Sequence, residues 1–176
     1  MKKKFYFLTV TFLLLGLFGC ATAQAQDIGI KGLILGMDEA EFTKKFNEKV
    51  YSDGSAGVFN LTIAGTVGKG YISLKFDRNG KLGRLIFIFY PREFDLLKEV
   101  LNSKYKMTCE TSVVSNAMGH QFDQEKCYFS NAKGDNLALT KLFKLDTSTL
   151  VLYSKALLKQ MESEQNEKIK KGKEDI

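Results

Sequence analysis

Hydrophobic and polar positions alternate through the middle of the chain, which is the period of β-strands. Ile72, Leu74 and Phe76 occupy every second position of residues 71–76, and this alternation predicts a half-buried strand. Turn-forming residues 77–80 lead into a second hydrophobic run over residues 82–90, so the two runs predict a β-hairpin. Because residues 85–90 are apolar on both faces, we expect the second strand to be central, with helices covering at least one side.

A first helix is predicted over residues 38–50. Phe42, Phe46 and Val50 recur at four-residue spacing, which places them on one face of a helix. Asp38, with Glu41 three residues later, resembles a capping box at the helix start. Ser52 to Gly57 then break the helix.

A second helix is predicted over residues 92–104, directly after the only proline, Pro91, which suits a first helical turn. Its apolar stripe consists of Phe94, Leu97, Leu101 and Tyr105. A third helix is predicted to begin near Lys155, with an inner face of Ala156, Leu158 and Met161. Residues 162–176 are almost wholly polar and charged, which predicts an exposed helix end or tail.

Further strands are predicted over residues 58–64, 125–129, 137–144 and 149–153, and residues 115–120 are predicted to form a loop. The fold class is therefore α+β, with helices on one face of an antiparallel sheet and a C-terminal helix. The order of a helix, three strands, a helix and three or four strands suggests that an αβββ unit is used twice.

The aromatic residues divide between a core and a recognition surface. Strand periodicity places Phe59, Phe76, Phe87 and Phe89 first in the core. Tyr is better suited to exposed recognition, because it combines apolar area with a polar tip. The candidates for such a surface are Tyr90, Tyr128 and Tyr153.

The N-terminal segment has the pattern of a secretory signal peptide. Three lysines at positions 2–4 precede an uncharged run over residues 5–18, which is shorter than the about 20 apolar residues that span a bilayer. Two processing routes stay open. Gly19-Cys20 resembles a lipoprotein box, so Cys20 is the candidate lipidation site, whereas small residues also permit cleavage after Ala23 or Ala25.

These routes define the domain boundaries. The signal peptide covers residues 1–25, or 1–19 if Cys20 is lipidated; a single α+β domain covers residues 26–161; and residues 162–176 form the charged C-terminal helix or tail. Either route predicts an exported protein, which is periplasmic or an outer-membrane lipoprotein. Ala21 after Cys20 favours the outer membrane for the lipidated form.

Cys109 and Cys127 remain as an even pair in an exported domain, and oxidising compartments favour disulfides. We therefore predict a bond between them, which stabilises the fold by about 3 kcal/mol on the chain-entropy model. Two buried free thiols are the alternative.

Net charge indicates no nucleic-acid partner. The chain has 26 basic and 20 acidic residues, and removal of the signal lysines leaves 23 against 20. The lysines are scattered, whereas nucleic-acid binders cluster their cations on one face.

No catalytic or cofactor motif is complete, so we predict a protein that is not an enzyme and has no cofactor or metal. His120 is the only histidine, and its neighbour Asp123 faces it only in a helix. Ser112 and Ser115 occur in no nucleophile elbow. Residues 65–70 contain glycines and a lysine but lack the phosphate-loop spacing. The carboxylate pairs Asp38 with Glu41 and Asp123 with Glu125 are best explained as caps and solvated turns.

Residues 32–42, with the sequence Gly-Leu-Ile-Leu-Gly-Met-Asp-Glu-Ala-Glu-Phe, resemble the opening of the SmpA/OmlA (BamE-like) small envelope lipoproteins. The resemblance implies helices packed on one face of a three-stranded antiparallel sheet. Duplicated versions of that plan look like the β-lactamase-inhibitor-protein architecture. The implied activity is scaffolding or protein binding, without catalysis. This chain is much longer than the assembly factors and has a second half that contains both cysteines.

The sequence thus predicts a non-catalytic exported envelope protein that binds another envelope component. The alternative is a periplasmic inhibitor or immunity protein against a secreted or cell-wall-acting enzyme. In both cases the partner is another envelope or secreted protein, membrane attachment occurs only through a lipid anchor on Cys20, and the oligomeric state stays open.

Overall fold

A computed structural model describes residues 26–59, 62–63, 66–67, 71–115, 118–142 and 147–174. The signal segment, the candidate lipidation site Cys20, and Gly65 with residues 68–70 of the glycine-rich segment lie outside the described residues.

Seven strands form one antiparallel sheet. In chain order the strands of the described residues are β1 (Gly29–Ile30), β2 (Leu33–Ile34), β3 (Ser55–Phe59), β4 (Thr62–Ile63), β5 (Thr66–Val67), β6 (Tyr71–Phe76), β7 (Leu82–Phe89), β8 (Thr108–Ser115), β9 (Gln121–Ser130), β10 (Asn136–Leu142) and β11 (Ser148–Tyr153). The large sheet has the order β3-β6-β7-β11-β10-β9-β8, while β1 with β2 and β4 with β5 form separate hairpins. Every pairing is antiparallel.

Two meanders build this sheet. The first contains β3, β6 and β7 after helix α1 (Glu39–Phe46), and the second contains β8 to β11 after helix α2 (Phe94–Tyr105). They join through their last strands, because β7 pairs with β11. The α+β class and the order of one helix before each set of strands are as predicted; the second set has four strands.

Helices α1 and α2 cover the same face of the sheet, which we call the core face. The ring of Phe42 in α1 lies 5.4 Å from that of Phe76 in β6, and Tyr105 in α2 lies 5.3 Å from Phe129 in β9. Alternate strand residues supply the rest of this core, including Ile72, Leu74, Leu85, Phe87, Phe89, Cys127, Leu137, Leu139, Leu150 and Leu152. Burial of these side chains is the main stabilising contribution.

Helix α1 is shorter than predicted. It ends at Phe46 because Asn47 adopts a left-handed conformation with φ 54°, a common helix terminator. Val50 therefore lies outside the helix, although it still packs against the core. The capping-box prediction is wrong: Asp38 makes no side-chain bond to the helix, and its carboxylate instead accepts a 2.5 Å bond from Lys81 Nζ.

Several strand bounds also differ from the prediction. The strand predicted over residues 58–64 begins earlier, at Ser55, and ends at Phe59, while Thr62–Ile63 belongs to the separate β4–β5 hairpin. Strand β9 is ten residues long rather than the predicted five. The other strand predictions agree within one or two residues where the structure describes them.

Helix α2 follows a short 3-10 turn over Pro91–Glu93. Helix α3 covers Lys155–Glu174, so the predicted tail is helical in residues 162–174. The predicted inner face of α3 is wrong. Ala156, Leu158 and Met161 are exposed, whereas Leu157 is buried beside Gly83, where a Cβ would lie 2.7 Å from that of Leu157. None of the described helices has the length and apolar character required to cross a membrane.

Candidate protein-binding surface

The face of the large sheet opposite α1 and α2, which we call the open face, carries a continuous row of uncharged residues. Each member stands directly opposite the next on neighbouring strands. From β3 to β8 the row consists of Gly57, Ser73, Ile86, Val151, Ala138, Tyr128 and Thr108. Period-two alternation causes this division, because every second side chain of a strand points away from the core.

Large apolar side chains within and beside this row are exposed. The exposed fraction is 61% for Phe59, 47% for Tyr71, 44% for Ile88 and 41% for Tyr128. The core assignment of Phe59 is therefore wrong, whereas Phe76, Phe87 and Phe89 are buried as predicted. A cluster of exposed apolar side chains on one face is typical of an interaction site.

The aromatic pair at the β3 end has a defined arrangement. The ring of Tyr71 lies across Gly57 of the neighbouring strand, and its centroid is 5.1 Å from that of Phe59. Only a residue without Cβ fits beneath the ring, because a Cβ at position 57 would lie 2.2 Å from it. Gly57 thus leaves the space that the ring of Tyr71 occupies beside Phe59.

A second row on the same face is polar and basic. It contains Ser55, Lys75, Arg84, Tyr153, Asn136 and Ser130. Lys75 Nζ donates to the backbone carbonyl of Asp53 and lies 3.7 Å from its carboxylate. Arg84 differs, since its Nε is buried and has no hydrogen-bond partner among the described residues.

Two of the three predicted recognition tyrosines lie on the open face. Tyr128 belongs to the uncharged row and half-buried Tyr153 to the basic row. Tyr90 does not join them. It follows β7, where Arg92 lies 5.1 Å from the centre of its ring. Sequence periodicity indicates which residues of one strand share a face, but not which strands are neighbours. The sequence therefore does not predict that Ile86, Ile88 and Val151 belong to this surface.

The predicted disulfide is present. Cys109 in β8 and Cys127 in β9 stand directly opposite each other with an S–S distance of 2.02 Å. Together with Glu125 they place three ligand-type atoms within 4.8 Å. The sulfurs are already bonded to each other, so this group does not offer the thiolates that a metal requires.

The serines and carboxylates of β8 and β9 that were considered for catalysis lie on both faces of their ladder. Ser112 lies on the open face of β8, whereas Asp123 and Glu125 of β9 point to the core face. Glu125 accepts a 2.7 Å bond from Lys98 of α2, and exposed His120 precedes β9. Ser115 pairs with Gln121 at the end of the β8–β9 ladder.

A polar cleft of about 530 Å³ lies where α3 meets the β6–β7 turn and is lined by charged residues including Asp53, Lys75, Arg78 and Glu164. Arg78 bonds Glu164 at 2.9 Å. A hydrogen bond from the Gln160 side chain, together with Arg78, lowers the pKa of the Glu164 carboxyl. These charges satisfy each other, so the cleft is best described as the junction that attaches α3 to the sheet.

No family model, curated protein or solved structure matches this chain.

Proposed function

We propose that this chain is a non-catalytic exported envelope protein that binds another envelope protein through the open face of its sheet. The observation that carries the proposal is the uncharged row from Gly57 to Thr108, which contains the exposed Tyr128, with the exposed Phe59, Tyr71 and Ile88 beside it. Seven strands about 4.8 Å apart give a face roughly 29 Å across, which is enough for the about 800 Å² per partner of a standard interface.

The chemistry of the face indicates what the partner presents. Ile86, Val151 and Ala138 offer an apolar centre, and tyrosines and Arg84 surround it. Tyr and Arg are the residue types that most often dominate binding energy. We therefore expect apolar side chains over the centre and a carboxylate or carbonyl acceptor opposite the basic row that contains Lys75 and Arg84.

The signal-peptide pattern and the Cys109–Cys127 bond support export. If Cys20 is acylated, the open face is tethered to a membrane; if cleavage follows Ala23 or Ala25, the protein is free. The intact mass of the mature protein distinguishes the two. An acylated N-terminal Cys20 indicates tethering, and an N-terminus at Gln24 or Gln26 excludes it.

The second candidate is an inhibitor or immunity protein against a secreted or cell-wall-acting enzyme. Its supporting observation is the width of the face, because two meanders joined through β7 and β11 provide one continuous surface. Such a surface suits the rim of an enzyme active site. Recovery of membrane-assembly proteins from detergent extracts would favour the envelope-scaffold role, and recovery of one soluble enzyme would favour the inhibitor role.

Photo-crosslinking in the native envelope tests the proposal. A photoreactive residue at position 88 samples the open face, and one at position 96 of α2 is the matched control, since Ile88 and Leu96 are 44% and 48% exposed. We expect a discrete protein adduct from position 88 that is absent from position 96. The substitution Ile88→Glu should abolish capture of that partner and Leu96→Glu should not. Equal adducts from both positions, or no effect of Ile88→Glu, would contradict binding through this face.

A further inference from the structure

Strand β8 is an edge strand without the usual protection against pairing. It is the last strand in the sheet order, and its register with β9 runs through eight consecutive residue pairs without a bulge. Seven of its eight residues are exposed, and Val114 is half-buried. Its sequence, Thr-Cys-Glu-Thr-Ser-Val-Val-Ser, contains no proline or lysine and one charge, Glu110. Natural edge strands are normally blocked against pairing by proline, by lysine and other charged residues, or by a bulge.

The pairing with β9 determines which backbone groups face outward. Cys109 and Cys127 have a Cα–Cα distance of 4.0 Å, which is the close spacing of a non-hydrogen-bonded antiparallel pair. The N–H and C=O of Cys109 therefore point away from β9, and alternation gives the same direction to Thr111, Val113 and Ser115. None of the backbone hydrogen bonds of the described turns and loops reaches these groups.

The disulfide holds this edge in place. Burial contributes little to the position of β8, since its side chains are exposed, yet a covalent bond joins it to β9. The bond keeps the outward N–H and C=O groups ordered as an extended template. Only another extended strand supplies alternating acceptors and donors for them.

We propose that β8 pairs with β8 of a second copy of this chain, in antiparallel orientation about a twofold axis. A twofold axis normal to the sheet places opposite each other only residues that point to the same face. The axis therefore runs between the two copies of one residue, and we place it at Thr111 or Ser112, near the middle of the strand. Glu110 then stands opposite Ser112 or Val114 of the copy, and no like charges meet. The central pair is then Thr with Thr or Ser with Ser, and hydroxyl pairs of this kind are favourable across strands. The result is a continuous sheet with seven strands from each copy and two open faces side by side. This inference does not depend on the proposed partner.

Sedimentation or light scattering of the protein, expressed from its full sequence and purified with the disulfide intact, tests the pairing. We expect a concentration-dependent dimer. Val113→Pro removes an N–H that points outward and not toward β9, and Val113→Lys adds a charge at a side chain that is 60% exposed. Each variant should weaken dimerisation at least about 10-fold, because Val113→Pro removes one intermolecular hydrogen bond from each copy and Val113→Lys places a charge that blocks edge pairing.

Val113→Thr, which keeps the N–H, and Leu96→Lys, which places the same charge on α2, should dimerise as the wild type does. Circular dichroism and retention of the disulfide establish that each variant is folded. A wild-type protein that stays monomeric up to its solubility limit would overturn the proposal, and so would a folded Val113→Lys variant that dimerises normally. A dimer that Ile88→Glu abolishes while the Val113 variants retain it would assign self-association to the open face and also overturn it.

Discussion

The ring of Tyr71 lies across Gly57 of the neighbouring strand, so that a Cβ on residue 57 would be 2.2 Å from the ring. Gly57 belongs to an ordinary ladder in which it pairs with Ser73, and its role is to leave space for the ring. Glycine within a strand often marks such a close approach.

Gly57→Ala should therefore change binding more than stability. The clashing atoms are at the far end of a half-exposed side chain, so Tyr71 has room to swing outward, and we expect the free energy of unfolding to change by no more than about 1 kcal/mol. The displaced ring loses its place beside Phe59, and capture of the partner should weaken. Urea unfolding and crosslinking yield from position 88 measure the two effects. Tyr71→Phe keeps the ring and is the control. A large loss of stability with unchanged crosslinking would contradict a binding role.

The disulfide should stabilise the protein chiefly by holding β8. Cys109 is exposed and Cys127 is buried, so replacing Cys109 by Ser and Cys127 by Ala removes the bond with little change in burial. We expect a loss of about 3 kcal/mol and faster hydrogen exchange at the β8 amides that bond to β9, those of Glu110, Ser112 and Val114. Unchanged exchange in β8 would show that other contacts hold the strand.

Local periodicity predicted the element types and much of the core, because alternation and helical spacing are local properties of the chain. Phe87 and Phe89 were assigned correctly to the core for this reason, and Phe59 was not. Its exposure follows from the phase of alternation in β3, because Ala56 and Val58 occupy the core face and Phe59 therefore points to the open face. The assignment of Asp38 failed similarly, because Lys81 competes for its carboxylate from a distant turn. The open face forms only when the seven strands assemble in this order, and no single segment of the sequence specifies that order.

The stability of the β3 entry turn should depend on pH through Asp53. The hydroxyl and backbone N–H of Ser55 donate to its carboxylate at 2.6 and 2.9 Å, and these bonds, aided by Lys75, lower the pKa of Asp53 from its ordinary value of 3.8. A lowered folded-state pKa means that the contribution is fully present above 3.8 and is lost as pH falls through the folded value. Asp53→Asn should flatten the decline of the melting temperature below that pH. Ser55→Ala should flatten the decline in part. If the melting temperatures of wild type and Asp53→Asn fall in parallel with pH, the Asp53 carboxylate does not contribute to the pH dependence.

Buried Tyr105 should contribute more to stability through its hydroxyl than an exposed tyrosine does. Its Oη donates to the carbonyl of Gly29 at 2.8 Å and accepts from the N–H of Gly29 at 3.0 Å, which attaches the β1–β2 hairpin to α2. Tyr105→Phe leaves these buried backbone groups without that partner, so we expect a loss of about 2 kcal/mol in the free energy of unfolding. The hairpin should also become more sensitive to proteolysis. Tyr51→Phe is the matched control, since Tyr51 is 61% exposed, and it should change stability by less than about 0.5 kcal/mol. Equal effects of the two substitutions would mean that the Tyr105 hydroxyl does not hold the hairpin.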